Sequence, residues 1–249
     1  MVIQQPFNYS PKNRNRTLHI YLPNDYDHSG EAYPVMYFFD GHNLFRDSDA
    51  TYGKCWGLEC FLDGWQKKMI VVGMECGHEG RERLDEYCPY DVRGGNLGEI
   101  HGMGKETMDW IVHEVKPWVD GNFRTYPFRE ATGIAGSSMG GLMAIYAAAK
   151  YNGIFSKAAC LSSAIRLCRK QLLSEIKEID PDTRVYLSWG TEESKMVGKM
   201  NPTALANREI AEGFWKKHAM ATLYCQEGGR HCEADWEKQV PRFMEYLWF

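Results

Sequence analysis

The chain has 249 residues, of which 44% are hydrophobic and 25% charged; this is enough apolar material for one large core and excludes a disordered chain. A formal net charge of −4 and a pI near 6.1, with basic residues scattered along the chain, exclude nucleic acid or an anionic membrane face as the expected partner. No apolar run approaches the ~20 residues that span a bilayer. The start, Met1-Val2-Ile3-Gln4-Gln5-Pro6, has no basic stretch leading into an apolar one, so a cytoplasmic protein is expected.

In chain order, residues 17–22 alternate in polarity and predict an antiparallel edge strand. Residues 34–39 form a continuous apolar run ending at Asp40-Gly41, and 69–74 form another. Residues 131–135, 158–161, 185–189 and 222–225 follow the same pattern. Such runs predict central strands buried on both faces of a parallel sheet. Between them, residues 106–119 carry Met108, Ile111, Val112, Val115 and Val119 near a 3.6-residue period, which predicts a helix. Residues 142–151 are Ala-rich and helix-favouring, 207–218 are amphipathic, and 233–247 predict one closing helix. Strands alternating with helices indicate an α/β fold with a mostly parallel sheet and helices on both faces. Without repeats or linkers, residues 1–249 read as one domain, with 76–104 as a surface excursion.

Eight cysteines occur without any Cys-x-x-Cys pair and read as reduced structural thiols. Cys225, His231 and Cys232 match no zinc-ligand spacing, and the serine chemistry expected at Ser138 needs neither a metal nor an organic cofactor.

The chemistry concentrates at Gly136-Ser137-Ser138-Met139-Gly140, a G-x-S-x-G pattern. Its context is what gives it weight: an apolar strand precedes it and an Ala-rich helix follows, the strand–turn–helix that exposes a nucleophilic serine. Small residues at 136 and 140 relieve crowding in the turn, and the helix N-terminus offers N–H groups to developing negative charge. Ser138 holds the nucleophile position and Ser137 the variable one.

A serine hydroxyl needs a general base at neutral pH, and in this arrangement acid and then histidine follow the serine in the chain. Only His218 and His231 follow Ser138. His218 lies beside Lys216 and Lys217 on a helix's polar side, whereas His231 sits in a glycine-containing loop after the last strand, where catalytic groups gather. His231 is therefore the expected base. The loop after residues 185–189 supplies two acids, Glu192 and Glu193, either of which could orient the imidazole. For the oxyanion, one N–H is expected from Met139 and a second from His42, in the loop Asp40-Gly41-His42 after the strand at 34–39.

Taken together, YPVMYFFDGHNLF from Tyr33, GSSMGG from Gly136, GTEE from Gly190 and GRHCEADW from Gly229 resemble the putative-esterase family. That family includes esterase D, feruloyl esterases of carbohydrate esterase family 1, enterochelin esterases and the antigen 85 mycolyltransferases. The resemblance implies the α/β-hydrolase fold, an acyl-serine mechanism, Glu193 rather than Glu192 as the acid, and the His42 N–H as oxyanion donor. Two residues depart from the family's usual pattern: Arg230 intervenes between the glycines and His231, and Cys232 stands where a small residue is usual.

The expected reaction is hydrolysis of a small acyl, aryl or sugar ester. Acyl transfer to an alcohol or sugar acceptor is the alternative, and a non-catalytic binding protein a third reading. A small-molecule ester is the expected partner, and self-association is left open. Trp56, Trp65, Tyr87, Tyr90 and Trp110 are candidates for stacking on a ring, with core filler as the plainer reading. Arg81, Arg83 and Arg93 are candidates to meet a substrate carboxylate.

Overall fold

In the computed structural model, residues 1–94, 97–193 and 202–249 are described. One eight-stranded sheet organises them, in the order β1-β2-β4-β3-β5-β6-β7-β8. The strands are β1 (Val2–Tyr9), β2 (Arg14–Tyr21), β3 (Val35–Phe39), β4 (Ile70–Met74), β5 (Thr132–Ser137), β6 (Lys157–Leu161), β7 (Arg184–Gly190) and β8 (Met220–Gln226). β1 pairs antiparallel with β2, and β2 antiparallel with β4. From β4 through β3, β5, β6 and β7 to β8 every pairing is parallel. Every residue of β3, β4 and β5 is buried, which accounts for their unbroken apolar runs.

Two expectations at the sheet's margins are corrected. The segment at 17–22 belongs to β2, which lies inside the sheet; the edge is β1, whose polar residues and Pro6 hid it. Proline is tolerated at an edge, where one side of the strand needs no ladder donor. The segment at 222–225 is not central but the opposite edge, and its residues are mostly half-buried.

Helices cover both faces. They are α1 (Tyr26–Ser29), α2 (Leu58–Gly64), α3 (Glu82–Glu86), α4 (Gly104–Trp110), α5 (Lys116–Asn122), α6 (Met139–Lys150), α7 (Arg169–Glu175), α8 (Pro202–Trp215), α9 (Glu233–Glu237) and α10 (Val240–Trp248). Tyr37 and Phe39 of β3 point into one core with Leu142 of α6 and Phe214 of α8. Met36 and Phe38, one residue out of phase, point into the other with Leu62 of α2 and Phe243 of α10. Each fully buried side chain of this size contributes about 1.5–3 kcal/mol through lost water contact. No helix among the described residues is long and apolar enough to cross a membrane.

The helix expected over 106–119 is present but wider in the middle: a π-turn at Ile111–Val115 joins α4 to α5. Pro117, in the first turn of α5, has no N–H to give to the carbonyl four residues back. The same reason corrects the closing helix, which is two: Pro241 opens α10, and the chain breaks between Glu237 and Val240.

The excursion at 76–104 is not merely superficial. Tyr87 and Cys88 are buried in the core, and Arg83 of α3 clamps Asp40 at the end of β3. Nε and Nη2 of Arg83 each donate to one carboxylate oxygen at 2.7 Å. Burial raises the Asp40 carboxyl, but the charge and hydrogen bonds of Arg83 outweigh it, so the group lies below the ordinary carboxylate range. Arg83 therefore braces the end of β3 through Asp40, and it also lines the cavity into which the strand ends open. Arg81 likewise donates to the backbone carbonyls of Leu97 and Glu99.

Arg83→Ala leaves Asp40 buried without its cation. A destabilisation of about 2–4 kcal/mol is expected in urea unfolding at neutral pH, below the full buried-pair value because Arg83 is partly exposed. A depressed carboxyl stabilises the fold above its unfolded pKa and loses that contribution as pH falls through its folded one. Protonation also relieves the variant, so the difference from wild type should narrow as the pH is taken toward 4. Arg83→Lys should not restore it, since an ammonium cannot make the two-pronged contact.

Candidate active site

Because β3 to β8 are parallel, their C-terminal ends emerge along one edge of the sheet. The chain steps from β3 to β4 on one side and then crosses to β5 on the other, so the strand order reverses beside β3 and opens a crevice there. Asp40, Ser138 and His231 from three of these ends line one cavity of about 400 Å³.

Ser138 occupies the turn between β5 and α6 with φ 57° and ψ −118°, a conformation that costs an L-residue about 1–3 kcal/mol. Its neighbours hold it there. The Ser138 N–H donates to the Leu161 carbonyl (3.0 Å), and the Ser138 carbonyl accepts from Ala164 N–H (2.9 Å) and Leu142 N–H (3.1 Å). The turn is so tight that a Cβ on Gly136 would lie 2.6 Å from the Gly140 carbonyl carbon. Ser137, the competing serine, is the last residue of β5 and is buried.

His231 lies in the loop between β8 and α9, with its side chain 45% exposed. Its Nδ1 faces Glu193 Oε2 at 3.3 Å. Glu193 is the anchor of this corner: its Oε1 accepts from the Gly190 N–H and from Ser162 Oγ, both at 2.6 Å. Ser162 in turn accepts from Trp236 Nε1 at 2.8 Å, and the Trp236 ring meets the His231 ring edge-on at 5.1 Å. Glu192 is exposed, and its backbone N–H donates to the Gly229 carbonyl, which ties the acid loop to the histidine loop. Of the two glutamates, only Glu193 reaches the imidazole. His218 is not on the polar side of a helix as expected but in the turn after α8, exposed and with φ 64°.

The two departures from the family pattern share one partner. Asp235 accepts from the Arg230 N–H (2.9 Å), the Arg230 guanidinium (3.3 Å), Cys232 Sγ (3.5 Å) and Lys238 Nζ (2.6 Å). Burial raises its carboxyl, and these donors more than offset that, so it lies well below the usual range. Both unusual residues thus brace the loop through Asp235, and His231 between them keeps its contact with Glu193.

Met139 opens α6 and His42 sits in a single 3₁₀ turn at Gly41–Asn43; the N–H groups that open helical turns lack an acceptor one turn back. The turn carrying His42 lies flat on β4, where a Cβ on Gly41 would come 2.4 Å from the Gly73 carbonyl carbon. No hydrogen bond joins Ser138 Oγ to the His231 ring among the described residues; both groups face the shared cavity.

The aromatic candidates lie elsewhere. Trp56, Tyr87 and Trp110 are core, Tyr90 bonds Glu175, and Trp65 packs on Phe61 and Phe249. Besides the His231 imidazole, the rings that line the cavity are Tyr52, Trp236, His42 and His78, none of which stood out as a stacking candidate by sequence. Trp236 had a signal, since it ends the GRHCEADW stretch.

All eight cysteines are free thiols, and the Cys225, His231 and Cys232 trio does not converge: His231 turns to Glu193 and Cys232 to Asp235.

Comparison with known proteins shows the family and the fold. The family model described as "Putative esterase" matches residues 10–246. The chain is 27% identical over 241 residues to "Uncharacterized protein YbbA" of Bacillus subtilis (strain 168), covering 94% of this chain and 93% of that one. It is 32% identical over 155 residues to "Esterase Rv1288" of Mycobacterium tuberculosis (strain ATCC 25618 / H37Rv), which is 62% of this chain and 30% of that protein. Among solved structures, an IroE-like serine hydrolase from Shewanella oneidensis matches with a TM-score of 0.77 at 19% identity, over 99% of this chain and 79% of that one. With a family model matched over nearly its whole length and an α/β-hydrolase sheet beneath the site, the chain belongs to the putative-esterase family and is an esterase-type hydrolase.

Proposed function

We infer that this protein is a serine carboxylic-ester hydrolase that works through an acyl-serine intermediate on Ser138. The observation that carries the reading is the engagement of His231 Nδ1 by Glu193, which leaves Nε2 as the nitrogen available to Ser138 across the cavity they share. Ser138 Oγ attacks the acyl carbon while His231 takes its proton, and the hydrogen bond between them tightens as substrate enters. Glu193 holds the imidazole in the tautomer protonated on Nδ1 and stabilises the cation that forms. The N–H groups of Met139 and His42 receive the oxyanion. The imidazolium then protonates the leaving alcohol. Water, deprotonated by the same ring, attacks the acyl carbon, releases the acid and returns Ser138 to its hydroxyl form.

A cavity of about 400 Å³ suits a small acyl, aryl or sugar ester, with Tyr52 and Trp236 as the rings a substrate would meet. His231 is 45% exposed, so water reaches the acyl-enzyme, as hydrolysis requires. We propose a cytoplasmic location, a reducing compartment in which the exposed thiols Cys60 and Cys225 would stay unpaired.

The first test is p-nitrophenyl acetate hydrolysis by wild type and Ser138→Ala. A fall of roughly 10⁴–10⁶ in kcat is expected, and equal rates would overturn the reading. For the acid, Glu193→Gln should cost about 10⁴ in kcat while Glu192→Gln stays near wild type. A larger loss from Glu192→Gln would reverse the assignment.

A further inference from the structure

Beside the turn that carries His42 stands a group of side chains that ester hydrolysis leaves unused. Glu75 follows directly on β4, His78 lies three residues further, and the close packing of Gly41 on Gly73 brings His42 against them. One donor atom from each of His42, Glu75 and His78 lies within 4.8 Å of the other two.

The hydrogen bonding around them is incomplete. His42 Nε2 is engaged by Thr51 Oγ1 at 2.9 Å, but its Nδ1 is buried without a hydrogen-bond partner among the described residues. His42 is only 6% exposed. A buried polar nitrogen left unpaired costs about 1–3 kcal/mol, so its retention calls for a ligand that uses the lone pair. Glu75, by contrast, is held from behind. His19 Nε2 lies 2.8 Å from Oε1, and Oε2 stays on the side of His78 Nε2, 3.9 Å away. An outer histidine fixing a carboxylate in this way is how ligating groups are oriented around metals. The His78 ring meets the His42 ring edge-on at 4.7 Å.

We propose that His42 Nδ1, Glu75 Oε2 and His78 Nε2 bind a first-row divalent transition ion of the zinc type in the wall of the cavity that Ser138 faces. Two imidazoles and one carboxylate form the donor set such ions take, whereas calcium and magnesium prefer oxygen throughout. Bonds of about 2.0–2.2 Å require donors closer together than they stand, and His78 is the residue that moves. Its side chain is 55% exposed and stands between Gly77 and Gly80. Three protein ligands leave one position open, and since His42 and His78 both line the cavity, that position faces the space a substrate enters. The site depends on its donor set alone and stands whether or not Ser138 is the nucleophile.

The test is a Co²⁺ titration of the full chain carrying Cys60→Ser and Cys225→Ser, which removes the two exposed thiols. One ion per chain is expected, with the weak visible absorption of nitrogen and oxygen ligation, no thiolate charge-transfer band, and displacement by Zn²⁺. His78→Ala should weaken binding by at least about 100-fold, since the loss of outer-shell partners alone reaches 10–100-fold. Glu75→Gln should do the same, with its thermal midpoint recorded alongside. His78→Ala decides the matter if Glu75→Gln fails to fold, because its side chain is exposed and the core does not rest on it. Ser138→Ala should bind Co²⁺ as tightly as wild type. No uptake, a thiolate band, or equal affinity in His78→Ala would overturn the proposal.

Discussion

The backbone at Ser138 is held at φ 57° and ψ −118°, where an L-residue does not rest unaided. Three hydrogen bonds, to Leu161, Ala164 and Leu142, hold it there, and the absence of side chains at Gly136 and Gly140 gives the turn room. The consequence reaches through the molecule. Only a strand that turns directly into a helix puts the hydroxyl at the sheet's edge beside a free helix N-terminus. Only a parallel sheet then brings the ends of β3, β7 and β8 to the same edge. The strain is local, while the restraint on it comes from β6 and the loop beyond, so the turn and the packing of its neighbours form one unit.

Glu193 plays the same part for the other half of the site. A carboxylate that only touched the histidine would leave both free to turn. Here the Gly190 N–H and the Ser162 hydroxyl fix one oxygen, and Trp236 fixes Ser162 and flanks the imidazole. Trp236 thereby acts on the histidine twice, once through the hydrogen-bond chain and once by ring contact. Asp235, next to it in sequence, performs the matching task for the loop backbone, gathering Arg230, Cys232 and Lys238. The residues that depart from the family's usual loop sequence are those Asp235 restrains.

Much of the fold was legible because burial on both faces leaves a plain trace. The runs that became β3 to β7 are apolar for the simple reason that neither face meets water. The margins were not legible. An edge strand such as β1 is half solvated and can carry Pro6, Gln4 and Gln5, so its composition resembles a loop. β8 is apolar enough to read as central, yet no strand pairs with its outer side among the described residues. Proline positions decided the rest: Pro241 splits the last helix, and Pro117 follows the π-turn.

The sequence by itself carried the strand–turn–helix around Ser138, the placement of Glu193 and His231 in loops after later strands, and the alternation of strands and helices. Each of these is a local property: a turn that needs small residues, a strand that needs apolar ones. What only the tertiary structure decided is which side chains meet across the chain. It separated Glu193 from Glu192 by one contact to His231, sent Arg83 to Asp40, and drew the cavity's rings from Tyr52 and Trp236 instead of the expected aromatics. It also brought His42, more than thirty residues away in the chain, to Glu75 and His78. Contacts of this kind arise where strand ends converge, and convergence depends on strand order and register, which one residue's neighbours in sequence do not carry.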